Sequence, residues 1–584
     1  MANLEKNTKS SKEVIIKLSK YILAHWHLFL SALIFLIFSV LLSLIPPWLI
    51  QYGIDNIIVA GNKDLLLIFT FTIIGISLIK GIIDFIQRYL AELATQRVIH
   101  RLRSDLYQNL TRLSFYFFDE SKAGDIISRI TSDTETLRRF FSFVSINIIA
   151  NLATIVGILV ILLTWSYELA VLYLIMLPLM FHAMKKYSTQ VSPMYKKARL
   201  SLAGLTENVQ ESISKIETVK LLGGEENEKS LFDQENIDYR NTNIKAAKST
   251  AFWMPYVDFL LGAATSLVIL FGGWLTIQGE ISIGILLGFT SYLAILTRPI
   301  RQTGMMMNLV FRAIAGGERI FELLEKEPEI KDKPGAFSLP PIKGEVEYRN
   351  VSFYYSLEKE ILKNIEFTVK PGQTVAIVGP TGAGKTSLVH LLPRFYDPTE
   401  GKVLIDGHDI KNVKVSSLRN QIGIIMQHDM LFSTSIRENI SYGKPGASDE
   451  EVIQCAKLAR IHEFIMSLPH GYDTYVGEKG VKLSGGEIQR IMIARLLLQD
   501  PGLIIMDEST SNLDEKVEFE IQEALKELFK NRTVFVIAHR LWTIKEADKI
   551  LVIYNGSLAE TGAHSELINS ESSLYKKMLT DIEV

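Results

Sequence analysis

Long uninterrupted apolar runs dominate the chain up to about Phe311, and beyond it short apolar stretches alternate with charged and turn-forming residues. A helix that crosses a bilayer needs about 20 mostly apolar residues. Six stretches qualify: about 28–50, 65–87, 140–164, 166–186, 252–277 and 283–308. The segments joining them alternate in kind. Those around Gln51–Asp64, Ser166–Glu168 and Gln278–Ser282 are short, and Lys63 is their only Lys or Arg. The segments 88–139 and 185–250 are long and basic, carrying Arg88, Arg97, Arg101, Arg103, Arg112, Lys122, Arg129, Lys185, Lys186, Lys196, Lys197 and Arg199. Basic loops stay in the cytosol, which places both long segments and the N-terminus inside. An even number of spans then brings the C-terminal part to the same side. Few helix breakers interrupt the long segments near the apolar runs, so helices are expected to continue past the bilayer at about 1.5 Å per residue. Each long segment reverses, at Phe117–Asp125 and at Leu222–Glu225, where short helices are positioned to contact the second domain.

At 584 residues and 48% hydrophobic content the chain averages a membrane half and a soluble half. A polar, Lys-rich lead-in occupies residues 1–24, the membrane domain 25–320, a proline-punctuated linker 321–343 and a second domain 344–584. Net charge is -2, with no basic stripe that would suggest a nucleic-acid partner. A single cysteine, Cys455, excludes a disulfide framework or a cysteine-rich metal site.

The second domain carries the chemistry. A short apolar strand from Val375 leads into Gly379-Pro380-Thr381-Gly382-Ala383-Gly384-Lys385-Thr386-Ser387, followed by an apolar helical run to Leu392. Glycines at these spacings let the main chain curl its N–H groups around a phosphate chain. The start of the helix adds the positive end of its dipole. Lys385 supplies charge for the β- and γ-phosphates, and the Thr386 hydroxyl is a natural Mg²⁺ ligand. About 120 residues on, the apolar strand Leu503–Met506 ends in Asp507-Glu508. Asp507 is placed to hold the metal through water, and Glu508 to polarise a water for attack on the γ-phosphate. Between them Leu483-Ser484-Gly485-Gly486-Glu487 opens a helix over Ile488–Leu498, a second anion-binding helix start. One nucleotide rarely needs two such ends from one chain, so the second points to a nucleotide held by another copy. Tyr355, just after the alternating stretch Glu345–Phe353, is either a core aromatic or a platform for adenine.

The order of these motifs resembles that of the ATP-binding cassette (ABC) proteins, and the six preceding spans with the Phe117-Phe118-Asp119 stretch resemble bacterial ABC exporter half-transporters of the multidrug and lipid-flippase type. The resemblance covers nearly the whole chain. It implies an α-helical membrane domain of type I exporter form joined to an α/β P-loop NTPase nucleotide-binding domain, with ATP and Mg²⁺ as cofactors. It gives Tyr355 the adenine platform and Gln427 a Mg²⁺-sensing role facing the contact helices. Ser484, Gly485 and Gly486 become the signature that closes over a partner's γ-phosphate, Asp514 the loop crossing the dimer interface, and His539 the switch histidine. Thr474–Gly480 resembles a stretch that relays contact with the membrane helices. Two departures, Glu487 for a usual Gln and Ser511-Asn512 for Ser-Ala, remove no phosphate ligand. With no catalytic position lost, a homodimer with two working sites is the expectation, seated in the bacterial inner membrane with both termini cytosolic. The implied activity is ATP-driven export or flipping of small amphipathic molecules by alternating access. A narrow-specificity peptide or metabolite exporter is the alternative. For the cargo, the residues within or near the spans that draw attention are Asp84, Arg88, Asp258, Arg298 and Arg301, with Trp253, Met254, Tyr256, Phe289, Tyr292 and Met305–Met307 at similar depth.

Overall fold

The structure, a computed structural model, describes residues 13–14, 16–355, 360–426, 431–477, 481–507, 515–538, 540–570 and 573–582. It divides into two compact units: Met1–Thr111 with Ala123–Lys326, and Arg112–Lys122 with Glu327–Val584.

In the first unit the apolar runs form long helices, most of which run well past a bilayer. They are α1 (Trp26–Gly53, continuing to Val59), α2 (Leu65–Leu110), then, after a short helix α3 (Phe115–Glu120) that belongs to the second unit, α4 (Ser145–Trp165), α5 (Tyr167–Ser214), α6 (Glu225–Gln278) and α7 (Ile283–Leu324). At 1.5 Å per residue the 54 residues of α6 span roughly 80 Å, against about 30 Å of hydrocarbon. Among the described residues five helical stretches are long and apolar enough to cross a membrane. The sixth stretch lies on α7, whose apolar part includes Ile283–Pro299.

Helix starts follow local chemistry. Ser166 caps α5 by accepting from the Leu169 N–H (3.3 Å), and Ser282 caps α7 by accepting from the Ile285 N–H (3.1 Å). Asp55 adds a carboxylate at the start of α7, accepting from the Gly284 N–H at 2.9 Å and the Ser282 hydroxyl at 2.5 Å. Tyr292 is fully buried and donates its hydroxyl to the Leu44 carbonyl at 2.6 Å, so a polar tip inside the bundle is satisfied. Further along α7, Arg319 forks onto Asp133 at 2.8 and 2.5 Å, a paired charge-assisted contact.

The second unit holds two sheets. An antiparallel one runs β2-β1-β4-β5, from β1 (Val346–Tyr354), β2 (Glu360–Val369), β4 (Glu400–Ile405) and β5 (His408–Asp409). The other runs β10-β9-β3-β8-β7-β6, from β3 (Thr374–Val378), β6 (Ile422–Ile425), β7 (Leu503–Asp507), β8 (Thr533–Ile537), β9 (Lys549–Tyr554) and β10 (Ser557–Gly562). All its pairings are parallel except β9 with β10. Strands covered on both faces read as continuous apolar runs. Val375, Ala376 and Ile377 in β3, and Val534 in β8, are accordingly shut off from solvent. Open parallel sheets take ligands beyond their carboxyl ends. Asp507 pairs with Ile537, and Ile537 with Ile377, so one register line carries Asp507 to within two residues of Gly379 in strand order.

Candidate nucleotide-binding site

The loop leaving β3 is shaped by what it must avoid. A Cβ on Gly379 would lie 2.2 Å from the Ile553 carbonyl oxygen, backbone that cannot yield without parting β3 from β9. Gly384 has φ +102, a region that L side chains rarely adopt. A Cβ on Gly382 would meet nothing within 4 Å, so the loop is open to its surroundings at that residue. Gly379→Ala is therefore expected to destabilise the second unit by about 1–3 kcal/mol, as overpacking does. Thermal unfolding without nucleotide would register this as a lowered transition.

Lys385 opens α8 (Lys385–His390) and is buried. Its Nζ donates to the carbonyls of Gly379 (2.7 Å) and Pro380 (3.1 Å). An ammonium has three protons, which leaves one for a ligand oxygen. Burial pushes the Lys385 pKa down and the Asp507 carboxylate pulls it partly back, which also places Asp507 close to the loop. Thr386 is exposed at the mouth, and Ser387 is buried behind it. Helix α8 has only six residues, shorter than the apolar run to Leu392, because Pro393 bars the preceding residues from continuing. Its dipole is correspondingly small, so an anion held here would rely chiefly on the loop N–H groups. Open glycine loop, an ammonium with one proton free, exposed hydroxyl and nearby carboxylate together fit a magnesium-bound polyphosphate. Lys385 and the loop would hold the phosphates, with Thr386 and Asp507 on the metal side.

Tyr355 stands beside this loop. Its hydroxyl is 3.1 Å from the Ser387 hydroxyl, and its ring meets Phe353 (4.8 Å) and Tyr396 (5.1 Å) edge-on. Burial raises its pKa, so it stays a neutral phenol. Sequence reasoning passed over Tyr396, which is buried and donates its hydroxyl to the Asp119 carboxylate on α3. Burial and the Asp119 charge hold the Tyr396 hydroxyl far above its ordinary pKa. Phe115 of α3 stacks on Phe395 with ring centres 4.0 Å apart. The short helix expected at the first reversal thus packs within the nucleotide-binding unit, two side chains from the Tyr355 ring. Tyr396→Phe removes the bond to Asp119, worth on the order of 1 kcal/mol or roughly fivefold in the docking equilibrium of α3. Faster amide hydrogen exchange in residues 115–120 is the expected readout, and unchanged exchange would mean that aromatic stacking alone holds the helix.

Ser484, Gly485 and Gly486 begin α9 (Gly485–Gln499). Ser484 is the cap: its hydroxyl accepts from the Glu487 N–H at 3.4 Å, while the Glu487 carboxylate accepts from the Ser484 N–H at 2.8 Å. The glutamate that departs from the usual signature thereby completes a reciprocal capping box. Ser484 is exposed, and a Cβ on Gly485 would meet nothing within 4 Å, so this helix start is open. Gln427, Glu508, Asp514 and His539 lie outside the described residues, as do 478–480.

Residues 29–300 match the family described as ABC transporter transmembrane region, and residues 362–511 the family described as ABC transporter. The chain is 36% identical over 572 residues to an ABC transporter ATP-binding protein, YknU, of Bacillus subtilis (strain 168), covering 98% of this chain and 97% of the relative. It is 36% identical to the ATP-dependent lipid A-core flippase of Syntrophus aciditrophicus (strain SB), covering 97% and 94% of the two chains. A solved bacterial Atm1-family ABC exporter with ATP bound superposes with a TM-score of 0.79 at 30% identity, covering 96% of this chain and 98% of the other.

Proposed function

The chain belongs to the ABC transporter family, with an exporter-type membrane region and an ATP-binding cassette in one polypeptide, and on that premise we propose that two copies form an exporter that moves amphipathic molecules, drugs or lipids, out of or across a bacterial inner membrane. The observation that carries the composite-site part of this reading is the pairing of a formed phosphate cradle at Gly379–Ser387 with a second, open helix start at Ser484–Gly486. Each copy would lend its Ser484 end to the nucleotide on the other's Lys385. ATP held between the copies binds the closed state better than the open one, which is what a conformational switch requires. Asp507 and Thr386 would hold Mg²⁺, Glu508 would activate the water, Gln427 and His539 would read the γ-phosphate, and Asp514 would cross the interface. Both termini would lie in the cytosol, in keeping with the basic long segments. The lipid cargo of the flippase relative and the multidrug name of another, YgaD of Bacillus subtilis (strain 168), support an amphipathic cargo.

The test is transport by the purified chain in liposomes containing fluorescent lipids or preloaded with dyes. ATP- and Mg²⁺-dependent movement of an amphiphile is expected. Movement of peptides alone would replace this reading with the narrow-specificity alternative.

A further inference from the structure

A second cavity, of about 230 Å³, lies within the nucleotide-binding unit. Neither Tyr355 nor any residue of the phosphate loop lines it. It gathers Tyr116 from α3, Glu329 from the chain after α7, Tyr354 from the end of β1 and the turn Phe395–Asp397 beyond α8. Of its eight lining residues five are aromatic, two are carboxylates and none is Lys or Arg, which sets the chemistry it offers. Drug-sized ligands usually occupy about 300–1,000 Å³, so this cavity suits a smaller occupant.

The surroundings are negative. Arg394 forks onto Asp397 at 2.8 and 3.2 Å and matches its charge. Glu329 is exposed, and among the described residues its carboxylate accepts only from the Ser114 hydroxyl, at a long 3.4 Å. Lys331, two residues on, is paired with Glu327. Glu120, burial and Glu329 together push the Tyr116 hydroxyl above its ordinary pKa, and burial with Glu360 and Glu400 does the same for Tyr354. The rings differ in what they have left to offer. Phe395 is engaged by Phe115 at 4.0 Å and by the Arg419 guanidinium at 5.3 Å. Tyr396 gives its hydroxyl to Asp119 and its ring to Phe353 and Tyr355. Tyr116 and Tyr354 are half-buried and meet no other ring among the described residues. An aromatic face attracts a cation, and more strongly where water is partly excluded. Hard metal ions ask for about six or more oxygen ligands, whereas this lining is mostly carbon. An anion would face an unmatched carboxylate.

We propose that this cavity is a binding site for a small soluble organic ammonium ion, with Tyr116 and Tyr354 against its alkyl groups and Glu329 answering its charge. The site is separate from the phosphate loop and does not depend on which cargo the membrane unit moves. Its occupant touches α3 and the chain after α7 at once, so occupancy is read at both.

Choline is the probe and 3,3-dimethylbutanol, its uncharged isostere, the control, each added to the full-length chain in lipid nanodiscs at constant ionic strength. Affinity is read from the slowing of amide hydrogen exchange in residues 112–120 and 327–331, with and without saturating ADP. Choline is expected to protect both segments, ADP or not, and the isostere to need roughly tenfold more or fail. E329Q should weaken choline roughly fivefold, the scale of one partly exposed ion pair. Y354L should weaken it by a similar factor, the scale of one cation–π contact, while Y354F binds as the parent does. If Y354L misfolds, exchange rises throughout the unit before choline is added, and E329Q at its exposed position carries the test. Equal protection by the isostere would make this an apolar pocket and overturn the cation assignment. Protection that ignores both E329Q and Y354L would place choline elsewhere and overturn the site. Protection abolished by ADP would make the cavity part of the nucleotide site and overturn its independence. No protection by choline at any concentration would overturn the proposal outright.

Discussion

Glu508→Gln is expected to cut ATP turnover by roughly 10²–10⁴-fold while leaving ATP affinity almost unchanged, the range over which a positioned general base acts. Asp507 ends β7 in line with Ile537 and Ile377, so the strand delivers its carboxylate to the region of the phosphate loop. Glu508 follows it directly in the chain. Glutamine keeps the shape and a hydrogen-bonding oxygen but takes up no proton from water. Binding would rest on Lys385 and the loop amides, which the substitution leaves alone. Turnover is read by phosphate release and affinity by a fluorescent nucleotide. Undiminished turnover would remove Glu508 from the catalytic role, and a parallel loss of affinity would make it a structural residue.

Lys385→Ala should fail differently. Removing the ammonium deletes the one charge that the loop itself supplies, and turnover is expected to fall by roughly 10²–10³-fold together with nucleotide affinity. Stability without nucleotide should stay level or rise, because a buried ammonium is costly to desolvate. The same burial sets a pH dependence. With its folded pKa pushed below the ordinary lysine value, Lys385 loses its proton earlier as pH rises. ATP affinity should therefore decline on the alkaline side before an exposed lysine would titrate, and binding should take up protons. A drop in apo stability with affinity preserved would contradict the assignment.

Local chemistry made much of this architecture legible. The strand before Gly379 and the helix after Ser484 follow from apolar runs that end in glycine-rich turns, and both form where their residues place them. Helix α8 is shorter than its apolar run because hydrophobicity does not register the bar set by Pro393. Glu487 stood out in the sequence only as a departure; its capping role depends on the reciprocal geometry with Ser484. Two features had no signal at all. Tyr396 meets Asp119 across 277 residues of sequence, and no periodicity encodes a contact at that range. Ser39 and Asn151 are polar residues in apolar runs, invisible to averaged hydropathy, and are brought to one cavity only when their helices pack.

The claim at the centre of this account is that each nucleotide is shared between copies, gripped by Lys385 of one and closed over by Ser484 of the other. It is tested most directly by complementation between two inactive chains, Lys385→Ala and Ser484→Arg, differently tagged, co-produced and purified through both tags so that only mixed dimers remain. In a mixed dimer of shared sites both lesions fall on one site, and the other keeps an intact Lys385 and an intact Ser484. ATP turnover well above that of either parent dimer is the predicted result. Mixed dimers as inactive as both parents would place Lys385 and Ser484 of one chain on the same nucleotide and contradict the shared site.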